Sequence, residues 1–292
     1  MWDHATFGRT AAAMITPFTP DGELDPPGAR RLARHLVDRG GCDALVLHDT
    51  TGEAATTCDQ EKLALLEAVR DEVGDRARIT TGVSGGDTRR AVELARRFQQ
   101  AGAHGLLVSA PPFPTGRLAV RRHLVTVADA TELPVMLHDR GTALETDTLL
   151  ALAEHPRVQG VLDRSGDPSR SGRVLAETDL AYYAGGDEWN LPLRSLGAVG
   201  YVSWLANVAG PLLRRMWDHE DRGDHPAALA LHRRLLPLIG QVGPELPAPV
   251  AVKALFQVAG LPGGPVRGPL APPEPRVTEQ LVTALEAALA EG

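Results

Sequence analysis

Up to about residue 222, a short apolar run is followed by a stretch with helical spacing, and the pair recurs eight times, the last helix being LLRRMWDHEDRG (212–223). The runs are AAAMIT (11–16), DALVLH (43–48), ARITTGV (77–83), HGLLVS (104–109), LPVMLH (133–138), VQGVL (158–162), LAYYAG (180–185) and GYVSW (200–204). Helices are expected over GARRLARHLVDRG (28–40), DQEKLALLEAVRDEVG (59–74), TRRAVELARRFQQAG (88–102) and ETDTLLALAEH (145–155), and near 117–130, 168–177 and 188–196. Asp59 is a fitting N-cap and Gly74 a fitting stop for the second of these. Eight strand–helix alternations predict an α/β chain, a parallel (β/α)8 TIM barrel. A doubly wound sheet is the alternative, but MITPFTPDGE follows the first run where a glycine-rich dinucleotide turn would stand.

The alternation then stops. Only helical segments remain, interrupted by Gly223, GLPGGP (260–265) and PLAPPEP (269–275). The expected organisation is a barrel over 1–222 and a C-terminal helical region over 223–292 packed on it. The net charge of −7 argues against nucleic acid as a partner, because the phosphate backbone calls for a basic surface. Two cysteines, Cys42 and Cys58, make no disulfide framework. MWDHATFGRT lacks the basic and apolar regions of a signal peptide, and no apolar run approaches the roughly 20 residues of a membrane span. A cytoplasmic protein without membrane contact is expected.

Three segments resemble the dihydrodipicolinate synthase/N-acetylneuraminate lyase family: MITPFTPDGELD (14–25), DTTGEAATT (49–57) and AGLPGGPVRGPL (259–270). The resemblance spans nearly the whole chain in order and spacing. It implies an α-keto acid, usually pyruvate, held as a Schiff base on a lysine at the end of strand six. It also implies paired threonines on the keto-acid carboxylate, a strand-five tyrosine relaying protons, and a homo-oligomer, dimer or tetramer. Thr50, Thr51, Gly52 and Glu53 match the Thr-Thr-Gly-Glu motif, with Asp49 in place of its leading glycine. His138 stands at the strand-five tyrosine and Pro112 at the tyrosine after strand four. The family's arginine position falls near Ala143, with Arg140 close by. Leu162 stands at the lysine.

Lysine usage bears on this independently. Imine chemistry needs a neutral, buried amine. The chain has two lysines: Lys62, on a helix expected to lie outside the barrel, and Lys253, in the tail. Arginine stays protonated and cannot replace them. An internal Schiff base is therefore not expected.

The strand ends, where a barrel keeps its active site, supply other groups. His138 titrates near neutrality and can exchange protons; the alternative is a structural histidine paired with an acid. Thr50, Thr51 and Gly52 can bind a carboxylate through hydroxyls and turn amides, or can simply cap a helix. Strand alternation puts His48 on the same face as Thr50 and Arg164 on the same side as Leu162. Arg140 and Arg164 can grip a substrate acid or pair with Asp139, Asp163 or Asp187. His48, Asp49, His138 and Asp163 are acceptable metal ligands, but no spacing motif links them, and neither metal nor cofactor is assigned.

Two functions follow as expectations. One is a repurposed lyase or dehydratase acting on a small keto- or hydroxy-acid without a lysine Schiff base. It would bind a small-molecule carboxylate at Thr50, Thr51, Gly52, His48, Arg140 and Arg164, and move protons with His138 and Asp163. The alternative is a catalytically inactive family member serving as a binding or regulatory protein.

Overall fold

The computed structural model describes residues 6–139 and 144–290. All eight apolar runs become strands: β1 (Thr10–Ala13), β2 (Ala44–Leu47), β3 (Arg78–Val83), β4 (Gly105–Ser109), β5 (Val135–Asp139), β6 (Val158–Asp163), β7 (Ala181–Ala184) and β8 (Gly200–Ser203). Among the described residues they close in sequence order, every neighbouring pair parallel, with β8 returning to β1. The (β/α)8 TIM barrel read from the alternation is the fold.

Alternation along each strand divides the core in two. Ala11, Ala13, Ala44, Val46, Leu107, Met136, Leu162, Tyr183 and Val202 fill the barrel interior, together with Phe7 and Ala181. The other face meets the helices in one continuous apolar layer. Phe7 packs edge-on against Tyr183, whose hydroxyl donates to the Gly8 carbonyl at 2.7 Å. Side chains thus close the N-terminal end of the barrel and leave the strands' C-terminal ends as the place for a site.

Between the strands run α1 (Pro26–Asp38), α2 (Asp59–Val73), α3 (Thr88–Gln100), α4 (Arg117–Asp129), α5 (Thr146–Ala153), α6 (Pro168–Glu177) and α7 (Asn190–Leu196). Short acids start several of them. Asp25, Asp87 and Asp167 each accept backbone N–H groups of a first turn. Asp59 is not the cap of α2. Cys58 occupies that position, and its N–H donates to the Glu61 carboxylate at 2.8 Å. Gly74 ends α2 in a positive-φ conformation, as its sequence position suggested.

After β8 the chain continues as α8 (Ala206–Asp221), α9 (His225–Ile239), α10 (Ala248–Ala259) and α11 (Pro275–Leu289). Helix α8 bends at Ala209, two residues before Pro211, and packs against β1, α9 and α10. The connection between α10 and α11 does not hang free. Phe18 N–H donates to Gly263 O at 3.2 Å. Gly264 has φ 65° and lies so close to the Phe18 carbonyl that a Cβ would overlap it. Among the described residues no helix is long and apolar enough to cross a membrane.

Candidate active site

The turn after β2 carries the motif residues. His48 leaves the strand in the left-handed region, φ 58°, and Glu53 repeats that conformation at φ 53°. Between them Asp49 Oδ1 accepts from the Gly52 N–H at 2.9 Å, while Thr16 donates to the Gly52 carbonyl at 2.6 Å. Gly52 sits against the Met14 carbonyl and the His48 amide, where a Cβ would be tight. The turn therefore lies against the loop after β1. Thr50 is exposed and faces the cavity at the barrel mouth; Thr51 is buried and is not among the residues lining it.

The left-handed kink ends strand alternation at Leu47, yet His48 still lines the cavity at the barrel mouth together with Thr50. Its ring stacks on Phe98 of α3 and its Nε2 donates to the Lys62 carbonyl at 2.9 Å. Burial and the nearby Lys62 charge pull its pKa down to about 3, so it is neutral at physiological pH.

The cavity has a volume of about 600 Å³. Leu107 and Ser109 of β4, His138 of β5, Thr50, Lys62, and Pro269 and Leu270 of the tail are among the residues that line it. His138 and Ser109 are partners across the β4–β5 ladder, with Nδ1 and Oγ hydrogen-bonded at 3.3 Å. Lys62 corrects a sequence expectation. It is only 6% exposed, lines the cavity, and donates from Nζ to the Thr57 carbonyl at 2.6 Å. Desolvation is the main reason its pKa lies below the ordinary lysine value; Asp59 opposes the shift.

Asp163 belongs to a different arrangement. Its carboxylate accepts from Ser165 N–H, Ser171 Oγ and Tyr182 OH, each at 2.7 Å, and Arg170 pairs with it and with Asp139. These partners tie β5, β6 and β7 to α6 on the helix side of the barrel. Asp163 is not among the cavity's lining residues, so the expected proton-transfer pair of His138 and Asp163 is not brought together. Arg164 is exposed and also lies outside that lining. Arg140 falls outside the described residues. Leu162 is inside the barrel, level with His138 on β5 and Tyr183 on β7. Among the described residues no group of three or more His, Cys, Asp or Glu side chains is placed to hold a metal ion.

Opposite the turn, Glu53 pairs with Lys253 of α10 at 2.6 Å. Burial pulls Lys253 down to about 8 against the opposing influence of Glu53. Unlike Lys62, Lys253 does not line the cavity.

Known proteins resemble the chain in sequence and in fold. The family model for the Dihydrodipicolinate synthetase family matches residues 6–288. The chain is 50% identical, over 97% of its length and 94% of the relative's, to 4-hydroxy-tetrahydrodipicolinate synthase 1 of Streptomyces coelicolor. It is 52% identical, over 91% of its length and 87% of the relative's, to 4-hydroxy-tetrahydrodipicolinate synthase of Acidothermus cellulolyticus. Among solved structures, that of DHDPS from Cyanidioschyzon merolae with lysine bound superposes with a TM-score of 0.93 at 32% identity, covering 97% of this chain and 98% of that one. Relatives this similar and this fully covered, all named as synthases, overturn both functional expectations, the repurposed lyase and the inactive binding protein.

Proposed function

The chain belongs to the dihydrodipicolinate synthetase family, and from that membership we propose that it carries out the synthase reaction for which its relatives are named, on an α-keto acid bound at the barrel mouth. The observation that carries this reading is 50% identity over 97% of the chain to a protein named 4-hydroxy-tetrahydrodipicolinate synthase 1. Thr50 and the amides of its turn receive the carboxylate. His138, bonded to Ser109, moves protons at the reacting carbon. The same reading carries a cytoplasmic location and a homo-oligomer, a dimer or tetramer.

Leu162, at the position that the resemblance gives to the reactive lysine, cannot form an imine, so the amine comes from elsewhere. With two lysines in the chain the choice is short. Lys253 is held by Glu53 and the Pro265 carbonyl, away from the cavity. Lys62 lines the cavity together with Thr50 and His138, and burial favours its neutral form. We assign the imine to Lys62: its Nζ adds to the keto carbon, the carbonyl oxygen leaves as water, and the chain stays linked through C=N.

Purified protein is expected to form 4-hydroxy-tetrahydrodipicolinate in the synthase assay and to bind pyruvate in calorimetry. Folded protein that does neither contradicts the reading. His138→Phe is expected to lower kcat by about 10²-fold with little change in KM, as loss of a proton-transfer group does. An unchanged kcat would remove His138 from the chemistry.

A further inference from the structure

Glu53 lies three residues beyond Thr50, yet its carboxylate is fully buried and points into the tail. Oε1 pairs with Lys253 Nζ at 2.6 Å, and Oε2 accepts the Arg267 backbone N–H at 2.9 Å. The Arg267 guanidinium then donates to the Gly22 carbonyl at 2.7 Å and to the Thr56 carbonyl at 3.0 Å, and pairs with Glu61. The Phe18 ring receives both cations, Lys253 Nζ at 4.1 Å and the Arg267 guanidinium at 4.0 Å from its centre. Lys253 also donates to Pro265 O at 2.7 Å. Three segments distant in sequence thus meet around one carboxylate: the loop after β1, the turn after β2, and residues 253–267.

A buried ion pair is a weak source of net stability, because both charges give up their hydration to form it. What it supplies is a fixed arrangement. Here it sets the turn that bears Thr50 against the tail. Just beyond Arg267, Pro269 and Leu270 form part of the cavity wall. Turn and tail segment, which both contribute to the cavity lining, are therefore referenced to the same carboxylate.

We propose that Glu53, Lys253 and Arg267 are positioning residues, through which docking of segment 260–270 sets the affinity of the carboxylate-binding turn. The affinity part rests on the keto-acid reading of the site; the coupling of tail to turn does not. The pair acts through the turn: Glu53 is a lining residue of the cavity, but its side chain is fully buried against Lys253, which is absent from the lining.

Hydrogen exchange on the unliganded full chain reads the coupling directly. In Lys253→Met, amides of residues 49–57 are expected to exchange roughly 10-fold faster or more, while β4 to β6 keep wild-type rates. Lys253→Arg, which keeps the charge, is expected to restore protection. Calorimetry with pyruvate then reads the consequence. Lys253→Met is expected to weaken binding by roughly 10-fold, with kcat within about 3-fold of wild type and rescue by Lys253→Arg. Where Lys253→Met does not fold, Glu53→Gln keeps the shape of the side chain and is expected to move exchange and affinity in the same direction. A folded variant with wild-type exchange in 49–57 and wild-type affinity overturns the proposal. Wild-type protein that binds no pyruvate sinks the keto-acid reading alone, and the exchange comparison still decides the coupling.

Discussion

Lys62→Met is expected to leave a folded barrel that forms no measurable product, a loss on the order of 10³-fold or more in kcat. The fold should survive. Methionine matches the length of the lysine stem, and the substitution removes one hydrogen bond, from Nζ to Thr57 O, worth about 1 kcal/mol. The chemistry should not survive, because neither Leu162 nor the ion-paired Lys253 offers a neutral amine in the cavity. Lys62→Arg separates the two things that a lysine brings. Arginine keeps the positive charge but is a poor nucleophile, so it should be as inactive as methionine. Activity retained in Lys62→Arg would make Lys62 an electrostatic group and take away its assignment as the amine. Steady-state rates, with circular dichroism to establish folding, measure all three proteins.

Asp163→Ala is expected to show the reverse pattern, a large loss of stability with the chemistry intact. The carboxylate is buried and satisfies Ser165, Ser171, Tyr182 and one side of Arg170. Removing it strands two hydroxyls and part of a guanidinium where water does not reach. Breaking a buried charged network of this kind costs roughly 3–5 kcal/mol. That corresponds to a fall in Tm of roughly 5–15 °C for a chain of this size. Because Asp163 lies outside the cavity lining, kcat of the folded protein at 25 °C should stay within about 3-fold of wild type. Thermal melts and rates at that temperature distinguish the two roles. A collapsed kcat with an unchanged Tm would return Asp163 to the catalytic group.

These two residues also show what the chain discloses before it folds. The barrel was readable because period and punctuation are local: apolar runs, helical spacing and Gly74 at a helix end, whereas the cap expected at Asp59 falls on Cys58. Thr50 and His138 were readable as mouth residues for the same reason, each standing at a strand's C-terminal end. His48 was readable as a companion of Thr50 at the cavity, but its stacking on Phe98 was not, because no composition rule marks a left-handed histidine. Lys62 was placed outside because helices cover a barrel; its burial depends on how the turn folds back over the start of α2. Asp163 looked like a mouth acid because its partners come from β5, α6 and β7, which only the closed barrel assembles. The Lys253–Glu53 pair did leave a trace. A lone lysine inside PVAVKALF is an unusual occupant of a buried helix, and a charge there calls for an opposite charge.

The most direct measurement is reductive trapping. Wild-type protein is incubated with pyruvate and borohydride, digested, and its lysine peptides are read by mass spectrometry. Formation of the imine on the cavity lysine should give a single stoichiometric adduct on the peptide containing Lys62, absent from Lys62→Met. An adduct on Lys253, or no adduct on a protein that still makes product, would contradict it.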